Sequence, residues 1–387
     1  MVYGALDIGG TKIAGALVDP DGRLVARAQR PTPARGSTEA LMGAVTAVLD
    51  ELSAHPAWTA LDRFGIASAG PVDTAAGTVS PVNIPAWRGF PLVERVRAHP
   101  RMPAGTAAPV LVGDAVAMTA AEHWLGAARG VDNALCMVVS TGVGGGMVLG
   151  GRLHTGPSGN AGHIGHISVD LDGEPCPCGA RGCVEGLASG TAIAARALAA
   201  GWTPPPGTPA TAAAVAEAAR AGHGTARAAY DRAAQALAAG IAATITLVEL
   251  DVVVVGGGVA QAGDTLFAPL RRWLDAYAVL GFARGVPVVP ARLALDAGLI
   301  GAAAAAGAHT GAAPAPPRRS ASPVPNAPFT PSAPSALPVS RTPSTQPDPA
   351  APSAPPVPDT PPTRPTPDTA PTRPAPDTTS TPPVPTA

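Results

Sequence analysis

Short apolar runs alternate with longer alanine-rich runs through the first 310 residues of the chain. The apolar runs predict strands at 2–7, 12–18, 62–67, 108–112, 134–140, 145–150 and 251–255, and the alanine-rich runs predict helices at 37–54, 115–126 and 225–249. Strands that alternate with helices in this way indicate an α/β fold, in which helices cover the faces of the sheets.

Two of the predicted strand pairs have the same form. AlaLeuAspIleGlyGlyThrLys at 5–12 and ValValSerThrGlyValGlyGlyGly at 138–146 each consist of an apolar strand, a glycine-rich turn with a hydroxyl residue, and the start of a second strand. A repeated hairpin of this kind predicts two related lobes that face each other across a cleft.

Neither of the two most apolar windows predicts a membrane span. The window at 134–150 is interrupted by glycines and the window at 235–255 by Glu249 and Asp251, whereas a span needs roughly 20 clean apolar residues. The chain starts with Met-Val-Tyr-Gly and shows no basic region, apolar region or cleavage site of a signal peptide. We therefore expect a cytoplasmic protein without a membrane partner.

The composition changes near residue 312 to proline, alanine, threonine, serine and aspartate, with the near-repeat PTRPTPDTA and PTRPAPDTT. Such a segment buries too little apolar area to offset the entropy of ordering it. We expect residues 312–387 to form a disordered tail without a catalytic role.

Charge and composition narrow the possible partners. The 387 residues carry a net charge of -1 with 14% charged side chains, so the chain has no basic surface for a nucleic acid. The 46% of apolar residues are enough to fill the cores of two ordinary domains. Lys12 is the only lysine in the chain, which draws attention to the first hairpin.

The two glycine-rich turns are candidate phosphate-binding sites. Gly9 and Gly10 allow a ligand to approach the backbone, whose N–H groups and the Thr11 hydroxyl can hold phosphate oxygens. Asp7 could hold Mg²⁺ through water molecules. The second turn, with Thr141 and Gly142, has the same logic for the terminal phosphate of a nucleotide. Either turn alone could instead be an ordinary tight hairpin.

Asp114 is the candidate catalytic base. It follows the apolar run ProValLeuValGly and precedes a helical run, at the end of a strand where ligands bind in open α/β sheets. A carboxylate there can accept the proton of a sugar hydroxyl during phosphoryl transfer. Aspartate is also a favoured N-cap residue, which leaves a helix cap as the alternative.

The cluster of His166 with Cys176, Cys178 and Cys183 predicts a zinc site. Three thiolates and one imidazole fit tetrahedral Zn²⁺, and four protein ligands close the coordination shell, so the metal would be structural. The alternative is a set of free buried cysteines. Cys136, in an apolar strand, is expected to be a core residue.

Three further segments offer weaker candidates. His163 and Glu185 could contact sugar hydroxyls, or could be solvated loop residues. Gly257 and Gly258 follow an apolar strand at a place where adenosine could approach the backbone, although a plain strand-to-helix turn is equally compatible with them.

Four segments, in this order, resemble the ROK family (repressor, open reading frame, kinase) of the actin-like ATPase superfamily. They are AspIleGlyGlyThrLys at 7–12, GlyIleAlaSerAlaGlyProValAsp at 65–73, AsnIleProAlaTrp at 83–87, and GlyHisIleGlyHis through CysProCysGlyAlaArgGlyCysValGlu at 162–185. The resemblance covers roughly residues 3–308. It implies a two-lobed actin-like ATPase (ribonuclease H-like) fold with an interlobe cleft. We place the N-terminal lobe at 1–117, joined by a final helix near 296–310, and the C-terminal lobe at 118–295 with a zinc loop at 162–185.

The resemblance also implies ATP- and Mg²⁺-dependent phosphorylation of a hexose or N-acylhexosamine, usually at the 6-hydroxyl, by a homodimer. Carried over residue by residue, Asp114 is the base, the sugar contacts are Asn83, His166 and Glu185, and the phosphate contacts are Gly9, Gly10, Thr11, Thr141 and Gly142. Asp7, Lys12, Gly257 and Gly258 complete the expected set for the nucleotide and its metal ion. His166 would serve both the zinc ion and the sugar.

Two departures from the family pattern concern the choice of sugar. The family often has glutamate where His163 stands, and the histidine form is similar to bacterial N-acetylmannosamine kinases. The family commonly has asparagine before the base, where this chain has Gly113. Glucose and N-acetylmannosamine are equally favoured substrates, with N-acetylglucosamine next.

Two other functions are possible for a protein with this resemblance. Some family members are repressors with a winged helix-turn-helix before the first hairpin, and we do not expect that function because the first strand begins at residue 2. A non-catalytic sugar-binding or scaffold protein is the second, with a tail that binds partners. The presence of Asp7, Thr11, Asp114 and Thr141 together favours a kinase over the non-catalytic protein, because sugar binding alone needs no phosphate-binding turn.

Overall fold

The computed structural model describes residues 1–293 and 296–308. The strands in this part of the chain are β1 (Val2–Ile8), β2 (Lys12–Val18), β3 (Leu24–Pro31), β4 (Leu61–Ser68), β5 (Val72–Asp73), β6 (Thr78–Val79), β7 (Val110–Gly113), β8 (Ala134–Val139), β9 (Val143–Leu149), β10 (Arg152–His154), β11 (Val252–Gly256) and β12 (Val288–Pro290). The α-helices are α1 (Thr38–Ser53), α2 (Leu92–Arg97), α3 (Asp114–Trp124), α4 (Val184–Ala188), α5 (Gly190–Ala199), α6 (Ala212–Arg220), α7 (Gly224–Val248), α8 (Asp264–Tyr277) and α9 (Ala297–Ala303).

The first sheet has the strand order β3-β2-β1-β4-β7. Strands β1 and β2 form an antiparallel hairpin, whereas β1, β4 and β7 are parallel. Ile8 of β1 is in register with Ser68 of β4, and Ser68 is in register with Gly113 of β7. Since parallel strands end at the same edge of a sheet, Asp7 and Asp114 come to one edge from strands that are distant in sequence.

The second sheet repeats the topology of the first. Its order is β10-β9-β8-β11-β12, with an antiparallel hairpin of β8 and β9 and with β8, β11 and β12 parallel. The two glycine-rich turns therefore occupy equivalent positions in the two sheets, as the repeated hairpin predicts.

The helices form layers on both faces of the two sheets. The apolar face of α1 packs on the outer face of the first sheet, and α7 and α8 pack on the outer face of the second. Between the sheets lie α3 and α9, in a core that also includes Ala5 and Val112 of the first sheet and Cys136 and Val254 of the second. Helix α3 carries the chain from the first sheet to the second, and α9 follows the segment that brings it back.

Close packing between α3 and α9 depends on a small residue. Gly301 of α9 lies so near the carbonyl of Ala117 in α3 that an added Cβ would overlap it. The carboxylate of the fully buried Glu122 in α3 holds the returning segment by accepting the N–H groups of Arg292 and Leu293 at 2.9 and 2.7 Å. The same carboxylate accepts the Ala127 N–H at 2.6 Å, so α3 is fixed to both chain segments that follow it.

The elements predicted from the sequence are all present, with ends that differ by at most two residues. Those not predicted are the edge strand β3, the short strands, and the helices α2, α4–α6 and α8, whereas α9 lies within the final helix predicted near 296–310. Cys136 is buried in the core, as expected. The α/β fold class with two related halves is confirmed.

The lobe boundaries remain a prediction. The boundary between residues 117 and 118 falls inside α3, and the described residues belong to a single compact unit. The predicted tail at 312–387 and the last residues of the predicted final helix lie outside the described residues. Within 1–293 and 296–308, no helix is both long and apolar enough to cross a bilayer.

Candidate active site

The first glycine-rich turn is closed by the chain's own hydrogen bonds. The Gly9 N–H donates to the Lys12 carbonyl at 3.0 Å. Thr32, at the end of the neighbouring strand β3, donates its hydroxyl to the Gly9 carbonyl at 2.7 Å and its N–H to the Thr11 carbonyl at 3.0 Å. Sequence reasoning did not find Thr32, because β3 itself was not predicted. The turn is therefore held in shape before any ligand is present.

Asn83 lies directly against this turn. A Cβ on Gly10 would lie 2.2 Å from the Asn83 amide nitrogen, so only glycine leaves room for this contact. The loop that carries Asn83 is fixed by Arg88, whose Nη1 donates to the carbonyls of Pro81 and Trp87 at 2.7 and 2.9 Å. The predicted sugar contact is thus next to the predicted phosphate turn.

Asp7 and Asp114 form a pair of carboxyl groups at the edge of the first sheet. Burial raises the pKa of Asp7 to about 6, and the charge of Asp114 contributes to the rise, whereas Lys12 opposes it. Asp7 packs against Gly298 of α9, where a Cβ would overlap its carboxylate. The register of β1, β4 and β7 brings both carboxyl groups to the same edge of the sheet, in agreement with the effect of Asp114 on the pKa of Asp7.

Asp114 is the first residue of α3, and Gly113 occupies the N-cap position. Its Oδ1 accepts the N–H of Ala115 at 2.7 Å, so the carboxylate does not cap the helix in the usual way. The Asp114 side chain is exposed at the surface of the cleft, but protein atoms surround it on most sides. The resulting desolvation raises the pKa of Asp114, whereas the hydrogen bond from the Ala115 N–H and the charge of His163 lower it. A carboxyl group with a raised pKa beside a basic imidazole is suited to proton transfer.

The second glycine-rich turn lies next to the start of α3. A Cβ on Gly144 would be 3.0 Å from the Ala115 side chain, which places this hairpin beside Asp114. Oε2 of Glu185 accepts the Val143 N–H at 2.8 Å, and a Cβ on Gly142 would be 2.5 Å from the same oxygen. Glu185, which was predicted to contact the sugar, therefore holds the second turn in place through a hydrogen bond from the Val143 N–H.

A cavity of about 290 Å³ opens beside Thr141. It is lined by Ser140, Thr141, Gly190, Thr191, Ala194, Ala210, Thr211, Ala212, Ala213, Gly258 and Val259. Gly257 has a φ of +91° and lies so close to the Val139 carbonyl that a side chain would not fit, so this turn requires glycine. The predicted Gly258 and Thr141 come together here, whereas Thr191 and Thr211 were not found from the sequence because they lie far from both turns in the chain.

The four predicted zinc ligands converge. The donor atoms of His166, Cys176, Cys178 and Cys183 all lie within 4.8 Å of one another. Two thiolates bound to a tetrahedral Zn²⁺ at about 2.3 Å would lie about 3.8 Å apart. The Sγ atoms of Cys178 and Cys183 are 3.7 Å apart, and Sγ of Cys176 is 3.9 Å from Nδ1 of His166. The donor set and its spacing thus fit a closed zinc site.

The electrostatics of this cluster also favour a cation. Burial raises the pKa of Cys183, and the neighbouring thiols Cys176 and Cys178 raise it further. Without a compensating positive charge, three ionised thiols would repel one another at this distance. The loop is tied to α7 by an ion pair between Asp170 and Arg232 at 2.5 Å.

The site thus combines two glycine-rich turns, one from each sheet, with paired carboxyl groups and a neighbouring cavity. These features on two sheets of one topology define a phosphotransferase of the two-lobed actin-like ATPase class. The ROK family model matches residues 3–308. The chain belongs to the ROK family, among its sugar kinases.

Relatives support this placement. The chain is 39% identical over 300 residues to an N-acetylmannosamine kinase of Yersinia pseudotuberculosis, a match that covers 77% of this chain and 96% of that protein. It is 35% identical over 311 residues to a glucokinase of Thermotoga maritima, with 77% and 95% covered. A ROK family glucokinase from Streptomyces griseus, solved with glucose and AMPPNP, has a TM-score of 0.65 at 33% identity and covers 79% of this chain and 99% of that one.

Proposed function

We propose that this sugar kinase transfers a phosphoryl group from ATP to a hexose or N-acylhexosamine, at the 6-hydroxyl, with Asp114 as the general base. The observation that carries the proposal is the place of Asp114. Its carboxyl group stands at the sheet edge beside Asp7 and close to both glycine-rich turns, and burial raises its pKa. The Streptomyces griseus glucokinase, solved with glucose and AMPPNP, supports a sugar and a nucleotide as the two substrates.

Proton transfer is the chemical role of Asp114. The carboxylate would accept the proton of the sugar hydroxyl as its oxygen attacks the terminal phosphorus, while the Ala115 N–H keeps Oδ1 oriented. Because its pKa is raised, the Asp114 carboxylate is a stronger base than an ordinary aspartate and accepts a proton more readily.

The nucleotide would lie along the second turn and the adjoining cavity. Thr141 and Gly142 would bind phosphate oxygens, and Gly257 and Gly258 would leave room for the adenosine. On the opposite side, the backbone of Gly9, Gly10 and Thr11 and the Lys12 side chain would face the transferred group. Asp7 would hold Mg²⁺, which when bound would neutralise charge on the phosphates.

The sugar would lie between Asn83 of one half and His163, His166 and Glu185 of the other. Support for glucose and for N-acetylmannosamine is balanced, because the chain is similar to kinases named for each. His163 in place of glutamate favours N-acetylmannosamine, and Gly113 removes an amide that would hold a further hydroxyl. A site built on hydrogen bonds discriminates strongly against sugars that leave its polar groups unpaired.

Zinc in the cluster of His166, Cys176, Cys178 and Cys183 would be structural. Four protein ligands leave no position for water, so the ion would fix the loop that follows His163 rather than activate a nucleophile. The family also implies a homodimer in the cytoplasm, and sedimentation of the purified protein at two concentrations tests the dimer.

A coupled assay for ADP release tests the proposed function directly. The purified chain is supplied with ATP and Mg²⁺ and with glucose, N-acetylmannosamine, N-acetylglucosamine, mannose or fructose, and polyphosphate replaces ATP in a parallel series. We expect turnover on glucose or N-acetylmannosamine that depends on both sugar and Mg²⁺. Silence on every sugar, in protein that is folded and contains zinc, would contradict the proposal and favour a non-catalytic sugar-binding protein.

A further inference from the structure

A loop of the second half of the chain reaches across to a strand of the first half. The loop follows β10, and its Asn160 side chain takes both polar groups of one backbone residue, Val72 in β5. Asn160 Oδ1 accepts the Val72 N–H at 3.2 Å, and Asn160 Nδ2 donates to the Val72 carbonyl at 2.7 Å. The Thr74 N–H donates to the Ser158 carbonyl at 3.2 Å. One side chain thus pairs with β5 as a neighbouring strand would.

The same residue holds His163. The Asn160 carbonyl oxygen lies 2.8 Å from Nδ1 of His163. Because a carbonyl only accepts, Nδ1 carries the proton and Nε2 is left for another partner. Nε2 faces the first half of the chain, where a Cβ on Gly70 would be 3.9 Å away. The positive charge of His163 lowers the pKa of Asp114.

On the first half, the residues just before the strand held by Asn160 are hydrogen-bonded to the loop that leads to Asn83. The Ser80 N–H donates to the Pro71 carbonyl at 2.9 Å, and the Val82 N–H donates to the Gly70 carbonyl at 3.3 Å. A continuous series of hydrogen bonds therefore leads from the loop of Asn83, through residues 70–72 and Asn160, to His163. The two ends of this series are both expected to contact the sugar.

We propose that Asn160 is a positioning residue for sugar binding: its amide joins the two halves at Val72, and its carbonyl holds His163 towards the sugar site. The proposal rests on the proposed function, because it concerns the same sugar site. With Asn160 present, Asn83 and His163 are ordered before the sugar arrives, and a ligand does not have to supply the free energy of ordering them. The cavity beside Thr141 contains none of these residues, so ATP binding should not depend on Asn160.

Kinetics of three variants test this role. Asn160→Ala removes both hydrogen bonds to Val72. Asn160→Asp keeps an acceptor for the Val72 N–H but places a second oxygen against the Val72 carbonyl, so it should not restore the pairing. Asn133→Ala is the matched control. Asn133, next to β8 of the second sheet, accepts the Gly150 N–H at 3.0 Å and donates to Asp251 at 3.2 Å, and it makes no hydrogen bond to Val72 in the described residues.

We expect the sugar KM to rise about tenfold in Asn160→Ala and Asn160→Asp, with kcat and the KM for ATP within about twofold of the native values. In Asn133→Ala the sugar KM should stay at the native value, even if this variant lowers the unfolding midpoint as much as Asn160→Ala does. An unchanged sugar KM in Asn160→Ala, or the same rise in Asn133→Ala, would overturn the proposal.

Two further measurements do not require turnover. Calorimetry gives the sugar affinity directly, and hydrogen exchange reports on the amides of residues 70–83. We expect faster exchange there in Asn160→Ala and native exchange in Asn133→Ala. If the native protein phosphorylates no sugar, the proposed function fails by itself. Native exchange of residues 70–83 in Asn160→Ala would show that the bridge does not order this segment, and would overturn the inference.

Discussion

At the scale of single residues, the candidate site contains a carboxylate, Asp7, whose negative charge destabilises the folded state. The Asp7 carboxyl group is enclosed by Gly298 and shares its surroundings with Asp114, and both desolvation and the neighbouring carboxylate raise its pKa. An ionised group in such surroundings opposes folding. The ionised Asp7 carboxylate therefore does not stabilise the fold, which agrees with its proposed role in holding Mg²⁺.

Replacement of Asp7 by asparagine should stabilise the protein and abolish its activity. The folded-state pKa of about 6 lies above the ordinary 3.8, so stability falls as pH rises through this range, and the loss is complete above about 6. At pH 7.5 without divalent metal, Asp7→Asn should raise the free energy of unfolding by about 1–3 kcal/mol, and near pH 4 by almost nothing. Urea denaturation at both pH values measures the difference. A variant less stable than the native protein at pH 7.5 would contradict this account.

Sequence reasoning at this scale found residues that belong to compact motifs and missed those that act through the fold. Asp7, Asp114 and the predicted zinc ligands stand in short segments whose glycines, carboxylates or cysteines mark them in the sequence. Thr32 and Asn160 do not, because an isolated threonine or asparagine acquires its role only when another segment of the chain is folded against it.

At the scale of the elements, periodicity predicted the strands and helices with wide apolar faces and missed those without them. Strand β3 is at the edge of its sheet, and its exposed residues Val25, Arg27, Gln29 and Pro31 alternate with residues that are mostly only partly buried. Helix α8 is an exception, because it has an apolar face of Leu266, Phe267, Leu270 and Leu274 but is interrupted in sequence by Pro269, which is unusual inside a helix. Strands β10 and β12 have three residues each. Such elements form because neighbours supply their partners, and a local pattern does not record that.

Glu122 should make one of the largest single contributions to stability. Glu122→Ala removes the acceptor of three backbone N–H groups in the interior of the protein. We therefore expect the free energy of unfolding to fall by about 3–5 kcal/mol. Glu217→Ala is the control, because Glu217 is exposed and forms an ion pair with Arg220 at the surface, and it should change stability by less than about 0.5 kcal/mol. Urea unfolding measures both, and a loss below about 1 kcal/mol in Glu122→Ala would refute the role given to this carboxylate.

The zinc loop should depend on each of its thiols. Cys178→Ser should lose the metal and, with it, on the order of a few kcal/mol of stability, since a site with three remaining ligands binds Zn²⁺ more weakly. Cys136→Ala, which removes a thiol in the core between the sheets, should keep one zinc ion per chain. Elemental analysis and thermal unfolding measure the two effects. Native protein free of zinc would exclude the site.

At the scale of the whole molecule, two sheets of one topology bring their turns to a common site. Each half supplies a glycine-rich turn, the first adds Asp7 and Asp114, and the second adds His163 and the zinc loop. The repeated hairpin in the sequence predicted this duplication. It could not predict that segments near 190, 211 and 258 would line one cavity, because that follows from the packing of α5 and α6 against α7 and against each other.

The central claim is that Asp114 is the base of a sugar kinase, and Asp114→Asn tests it most directly. An amide of the same shape cannot accept the proton, so kcat should fall by about 10²–10⁴-fold, while the sugar affinity measured by calorimetry stays within about threefold of the native value. Asp62→Asn, at an exposed position near the start of β4, is the control and should keep native turnover. If Asp114→Asn retained most of the native kcat with the same sugar, the assignment of the base would be wrong.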